Sequence, residues 1–309
     1  MRIAVVGVGG VGGYFGGKLA QAGVDTVFIA RGATLEALKT RGLRVDSIHG
    51  DIVLDRVNAS GDPASVGVVD AILVCVKAWQ IAEAVTPLKP MIGPGTVVVP
   101  MENGIDAPDV LAGIVGREHV LGGLCSIVSF VVEPGHIRHA AADPFVMFGE
   151  LDNRSSERAE RLQEAFRGAG IKANIPPDIL HSMWTKFLFI APMSAIGALT
   201  RAPVGVWRAM PELRAIAEES LREMIALAKA RGVDPGDQVL QRTMERYDGM
   251  TPDSTSSLQR DVMEGKPSEL DAQIGAVVRL AAESSVPAPV SSFLYHCLLP
   301  QEKKARGTL

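Results

Sequence analysis

Ile3-Ala4-Val5-Val6-Gly7-Val8-Gly9-Gly10-Val11-Gly12 opens the chain and decides how the rest is read. The first four residues are apolar and mostly β-branched, the composition of a buried strand. The next six match G-x-G-x-x-G. They follow the strand directly and open a helical pattern that ends near Gly23. In a chain with 32 glycines the pattern alone is weak, and this strand-before, helix-after setting gives it meaning. Gly7 permits the tight turn, Gly9 lets the backbone approach a pyrophosphate, and Gly12 allows the helix to pack closely on the strand. The helix N-terminus adds free N–H groups and a partial positive charge suited to phosphates. Gly7, Val8, Gly9, Gly10, Val11 and Gly12 are therefore candidate cofactor-binding residues. The competing reading is a mere tight strand–helix turn.

Working outward, residues 26–30 read as a second strand. Residues 71–76 (AILVCV) and 96–99 (TVVV) are continuous apolar runs, as expected of strands covered on both faces. Helical patterns fall between them over 80–91 and 107–115. Strand and helix in alternation imply a parallel, doubly wound sheet. Residues 127–132 and 137–139 flank Glu133-Pro134-Gly135 and read as a hairpin. Residues 155–168 read as a charged surface helix. Strand signals then give way to helices over 179–199, 212–231, 238–246, 256–263 and 269–283, with breaks at Pro176-Pro177 and Pro235-Gly236. The expected fold is α/β: an N-terminal Rossmann doubly wound sheet over 1–176, joined to a C-terminal all-helical domain over 177–309.

The totals agree with this outline. A chain of 309 residues, 47% hydrophobic and 21% charged, can bury two cores. A net charge of −4 argues against a nucleic-acid partner. Cys75, Cys125 and Cys297 are widely spaced and set in apolar runs, which reads as reduced thiols rather than disulfides or a metal site. The six histidines show no ligand spacing beyond His136 and His139 in the hairpin, so no metal is expected. The first residues carry one basic side chain and break into glycines within six positions, unlike a signal peptide. No uninterrupted apolar stretch looks long enough to span a bilayer. The expectation is a soluble cytoplasmic protein without a membrane partner.

Cofactor choice is read after the second strand. An NAD site usually places an acid there for the ribose 2′-hydroxyl. Residues 26–31 (TVFIAR) offer no carboxylate, and the Arg31 guanidinium suits a 2′-phosphate. The reading favours NADPH; a surface arginine is the plain alternative.

Substrate-side candidates lie at strand ends and in one helix. Lys77 follows the AILVCV run and Asn103 follows the next strand, where ligands of doubly wound sheets gather. A polar loop residue or a helix cap is the competing reading for each. Lys186 sits in a helical segment apolar nearly all round, and a buried lysine needs a reason. It snorkels to water, or it donates a proton. Pro192 should kink or end that helix at the carbonyl of Leu188. Ser256-Ser257 and Ser268-Glu269 both read locally as helix starts, with Ser268 a candidate N-cap.

Taken in order, GVGGVG, Arg31, KAWQ at 77–80, ENG around Asn103, WTK ending in Lys186, SSLQRD from Ser256 and SELD around Glu269 resemble the ketopantoate reductase (2-dehydropantoate 2-reductase) family over nearly the whole chain. The resemblance implies NADPH-dependent reduction of ketopantoate to pantoate, on the route to pantothenate and coenzyme A, in a cleft between the two domains. It implies that Lys186 is the catalytic lysine and Asn103 the cleft asparagine, near cofactor and substrate alike. Lys77 lies near nicotinamide and substrate, and Ser257 and Glu269 hold the substrate's carboxylate and hydroxyl end. One departure stands out. The family carries asparagines four and eight residues after the lysine, where this chain has Ile190 and Ser194. Ser194 is kept as a substrate-binding candidate, while Ile190 cannot hydrogen-bond a hydroxyl, so a different 2-keto acid is an alternative substrate. A β-hydroxyacid dehydrogenase is a further alternative, although its DGxxGG loop is absent. A non-catalytic NADPH-binding regulator is another, opposed by Lys186, Asn103 and Glu269. Helical domains of this kind often dimerise, and a homodimer is left open.

Overall fold

A computed structural model describes residues 1–309. Contacts divide the chain into two compact units: residues 1–102 with 107–179, and residues 103–106 with 180–309.

The first unit carries, in order, β1 (Arg2–Val6), α1 (Gly10–Gln21), β2 (Asp25–Ile29), α2 (Gly32–Arg41), β3 (Leu43–Ser47), β4 (Ile52–Leu54), β5 (Asn58–Ser60), β6 (Ala71–Val74), α3 (Ile81–Val85), β7 (Val97–Pro100), α4 (Ala107–Val115), β8 (Leu121–Glu133), β9 (His136–Glu150), α5 (Glu157–Gly168) and β10 (Lys172–Asn174). Five strands form a parallel sheet in the order β5-β2-β1-β6-β7. The apolar runs are continuous because this sheet is covered on both faces. Successive side chains alternate between two cores. Ile3, Val5, Phe28 and Leu73 join Phe15 and Leu19 of α1 on one side. Ala4, Val6, Ile29 and Val74 join Leu88 and Leu111 on the other. Full burial of each large side chain is worth about 1.5–3 kcal/mol, so central β1 fixes the layer.

A second sheet runs β10-β9-β3-β4, with β8 antiparallel to β9. The hairpin at Glu133-Pro134-Gly135 is present, but its strands have 13 and 15 residues, far longer than the sequence suggested. Gly122-Gly123 and the Ala140–Ala142 stretch lack the alternation that betrays a strand. The helix expected over 80–91 is only one α-turn, with 3₁₀ turns at 78–80 and 86–91, because Pro87 and Pro90 withhold their N–H groups.

The second unit is helical: α6 (Ile179–Thr200, entered from Leu180), α7 (Val204–Trp207), α8 (Pro211–Ala230), α9 (Val239–Asp248), α10 (Ser257–Met263), α11 (Ile274–Glu283) and α12 (Pro289–Ala305). Its core gathers Trp184, Leu188, Trp207, Tyr247, Leu270 and Leu298. One expectation is narrowed and two are corrected. Of the two outcomes expected at Pro192, a kink or an end, the end is excluded, since α6 runs for 22 residues through it. No helix starts at Glu269, since a bend there and turns over 270–273 precede α11. And α6 is, by length and composition, apolar enough to cross a membrane. Its most apolar window is 72% buried inside the protein, which marks a core helix.

Candidate active site

β1 delivers the chain into the glycine turn at Val6. Gly7 has φ +90, and its N–H donates to the Ile29 carbonyl at 3.1 Å. A Cβ on Gly7 would lie 2.7 Å from the Val76 side chain, and one on Gly12 only 2.0 Å from the Gly7 carbonyl oxygen. These two glycines are thus demanded by the protein's own packing. Gly9 differs. Its φ of −88 is open to any residue and an added Cβ would meet nothing within 4 Å. The glycine keeps a clear face at the very point where α1 begins, with no side-chain cap and no acid in its first turn. Val8 is buried and Val11 half-buried. The uncapped N–H groups and clear backbone fit a phosphate-bearing ligand.

Arg31 follows β2, takes the N-cap position of α2 and is exposed. Its guanidinium pairs with the Glu83 carboxylate of α3. Lys77 opens the 3₁₀ turn after β6 and is half-buried. Its N–H donates to Gln80 Oε1 at 3.3 Å, and its ammonium lies 5.8 Å from the Trp79 ring centroid. Beside the turn, desolvation pushes the Cys75 thiol well up, with Cys125 and Glu102 adding to it, so it stays protonated at neutral pH. No thiolate chemistry arises there.

The remaining candidates belong to the second unit. Asn103 is half-buried at the start of residues 103–106. That segment is tied down twice. Asp106 pairs with Arg279 of α11 at 2.5 Å, and a Cβ on Gly104 would come within 3.8 Å of the Ala272 carbonyl oxygen. Asn103 is thereby held near the turn that carries Glu269. Glu269 is buried. Its turn is clamped by Glu302 of α12, which accepts from the Ser268 N–H at 3.0 Å, the Ser268 hydroxyl at 2.5 Å and Arg306 at 2.6 Å. Ser268 is therefore no helix cap; its hydroxyl serves this clamp.

Lys186 is half-buried on α6, between the buried Met183, Phe187 and Leu188. Ser256, not Ser257, caps α10, accepting from the Gln259 N–H at 3.0 Å. The cap leaves the half-buried Ser257 hydroxyl free of that duty. α10 meets α6 at Gly197, where a Cβ would stand 2.4 Å from Gln259 Oε1. Ile190 is half-buried against the helical core. Ser194 has no exposed surface, and its hydroxyl is enclosed without a hydrogen-bond partner. No group of three or more His, Cys, Asp or Glu side chains is placed to hold a metal ion.

The sequence missed Glu83, Glu302 and the Asp106–Arg279 tie. Each is an acid in an unremarkable local pattern, made meaningful by a partner remote in sequence.

The family model described as ketopantoate reductase PanE/ApbA matches residues 3–153, and the model of its C-terminal domain matches residues 178–302. The chain is 32% identical over 295 residues to an uncharacterized oxidoreductase, YkpB, of Bacillus subtilis, covering 96% of this chain and 97% of that protein. It is 29% identical to a 2-dehydropantoate 2-reductase of Nostoc, covering 96% and 94%. Among solved structures, a PanE/ApbA family ketopantoate reductase of Ralstonia eutropha superposes with a TM-score of 0.90 at 27% identity, over 99% of this chain and 100% of that one.

Proposed function

The chain belongs to the ketopantoate reductase family of oxidoreductases, and from that premise we propose that it reduces a 2-oxo acid with NADPH, ketopantoate to pantoate being the first reaction to assign. The observation that carries the reading is Gly9: its clear face at the uncapped start of α1 has no packing reason to be glycine and a good reason if a pyrophosphate lies against it.

A bound nicotinamide supplies the hydride to the carbonyl carbon. The chain's residues handle charge and protons. Negative charge grows on the carbonyl oxygen, and the Lys186 ammonium stabilises it and gives it a proton. The lysine is reprotonated from solvent. The Asn103 amide orients the same oxygen. Glu269 and Ser257 hold the hydroxyl and carboxylate end, and Lys77 serves the nicotinamide side. Arg31 takes the 2′-phosphate as a charge-assisted fork. Ile190 and the enclosed Ser194 withdraw two polar contacts from the substrate region, which favours a second reading in which another 2-oxo acid is preferred.

Lys186→Ala is expected to lower kcat by about 10²–10⁴-fold, the usual worth of a general acid, while the Kd for NADPH stays unchanged. Steady-state kinetics and a fluorescence titration read the two quantities. Near-normal turnover would remove Lys186 from the chemistry.

A further inference from the structure

We propose that Glu83 narrows the cofactor preference of this chain by competing with a 2′-phosphate for Arg31 and by offering a carboxylate to a ribose 2′-hydroxyl. The proposal rests on the reading that the glycine turn takes a nicotinamide dinucleotide with its adenosine end toward Arg31.

The sheet order is β2-β1-β6. Arg31 follows β2, and Glu83 lies in α3, beyond β6. Neighbouring strands stand about 4.8 Å apart, so an ion pair joining these two elements reaches across the carboxyl end of β1, some ~10 Å in all. The carboxyl end of β1 is where the glycine turn begins. In open parallel sheets that crevice receives the ligand. The Arg31–Glu83 pair is therefore a strap across the cofactor crevice, made of the two charges that decide between phosphate and hydroxyl.

Sites that prefer NAD place their acid at the end of the second strand. Here that position holds a guanidinium, and the acid arrives from a different element. The fold has no need of the pair. Arg31 and Glu83 are 60% and 67% exposed, and such pairs contribute about 0–1 kcal/mol. A phosphate monoester carries roughly −1.5 to −2 charges and binds a guanidinium fork better than one carboxylate does, so it can displace Glu83. The displaced carboxylate remains nearby and repels the phosphate. With a 2′-hydroxyl there is no repulsion, and Glu83 becomes an acceptor. Glu83 thus weakens binding of the phosphorylated cofactor and narrows the preference that Arg31 creates.

The test is calorimetric titration of the full chain with 2′,5′-ADP and 5′-AMP, then with NADPH and NADH, for the wild type, Glu83→Gln and Arg31→Ala. Glu83→Gln keeps the side-chain volume at an exposed position. It is expected to tighten 2′,5′-ADP and NADPH by about two- to five-fold, the equivalent of an exposed charge pair, with no tightening of 5′-AMP or NADH. Unchanged affinities, or equal tightening of both pairs, would overturn the role of Glu83. Arg31→Ala separates this from the underlying reading. If it leaves 2′,5′-ADP binding intact, Arg31 does not face the 2′-phosphate and the reading of the site fails first, taking the proposal with it. If none of the four compounds binds the wild type, the dinucleotide site itself is refuted.

Discussion

Gly9 and Gly12 are three residues apart in one motif and do opposite jobs. Gly12 is fixed by the protein, since a Cβ would stand 2.0 Å from a backbone oxygen that cannot move without pulling β1 with it. Gly12→Ala is expected to cost about 1–3 kcal/mol or more in urea unfolding, as overpacking does. Gly9→Ala meets no atom and an allowed φ, so stability should hold or rise by about 0.4–1 kcal/mol while affinity for NADPH falls. A Gly9→Ala protein that binds NADPH as well as the wild type would show that nothing approaches this backbone. At this scale much was legible in the sequence. The motif, Arg31 and Lys186 stand out because each breaks its surroundings: glycines after a strand, a cation at a strand end, an ammonium in an apolar helix. Glu83 was not legible, because its meaning comes from a residue 52 positions away. Nor was the enclosure of Ser194, which depends on how α6 is packed.

Elements were legible where one periodicity ruled them. β1, β2, β6 and α6 are dominated by apolar residues that are mostly buried, which left one reading. β3, β4 and β5 are three to five residues long with mixed polarity, and pairing rather than composition makes them strands. The bend and turns over 269–273 were misread as a helix because their clamp, Glu302, lies 34 residues downstream of Ser268. A second tie of this sort fastens α5 to β9. Glu150 and Arg158 meet through two hydrogen bonds of 2.7 Å. Burial pushes the Glu150 carboxyl up, but the Arg158 hydrogen bonds together with Ser156 outweigh it and the net pKa is lowered. A lowered folded-state pKa gives stability that is present above the ordinary carboxylate range and is lost as pH falls through the lowered value. Arg158→Ala removes the main partner of a buried carboxylate, leaving Ser156 beside it, and should cost about 3 kcal/mol at neutral pH. The cost should shrink in mild acid, where the Glu150 carboxyl of the variant, no longer held down by Arg158 and still raised by burial, takes up a proton. Urea unfolding at the two pH values reads this, and an equal cost at both would mean that the charge pair is not the tie.

At the scale of the whole molecule, residues 103–106 pack with the helical unit although the chain on both sides of them belongs to the sheet unit. A linear reading puts Asn103 at a strand end and goes no further. Contacts place it in the same unit as Lys186, Ser257 and Glu269, so the proposed oxygen-binding and proton-donating groups share one compact unit. The sheet unit keeps the glycine turn, Arg31 and Lys77. The order of motifs along the chain was enough to name the family, because cofactor and substrate motifs come from separate elements whose sequence order is preserved. Substrate choice was less legible, since it depends on what Ile190 and its neighbours leave in three dimensions. The most direct measurement is oxidation of NADPH by the purified chain, followed by absorbance, with ketopantoate and a series of smaller and larger 2-oxo acids in parallel. Substrate-dependent oxidation that disappears in Lys186→Ala is expected, with the favoured acid identifying the physiological class. No oxidation with any 2-oxo acid, in a protein that binds NADPH, would contradict the assignment as a reductase and leave a cofactor-binding regulator in its place.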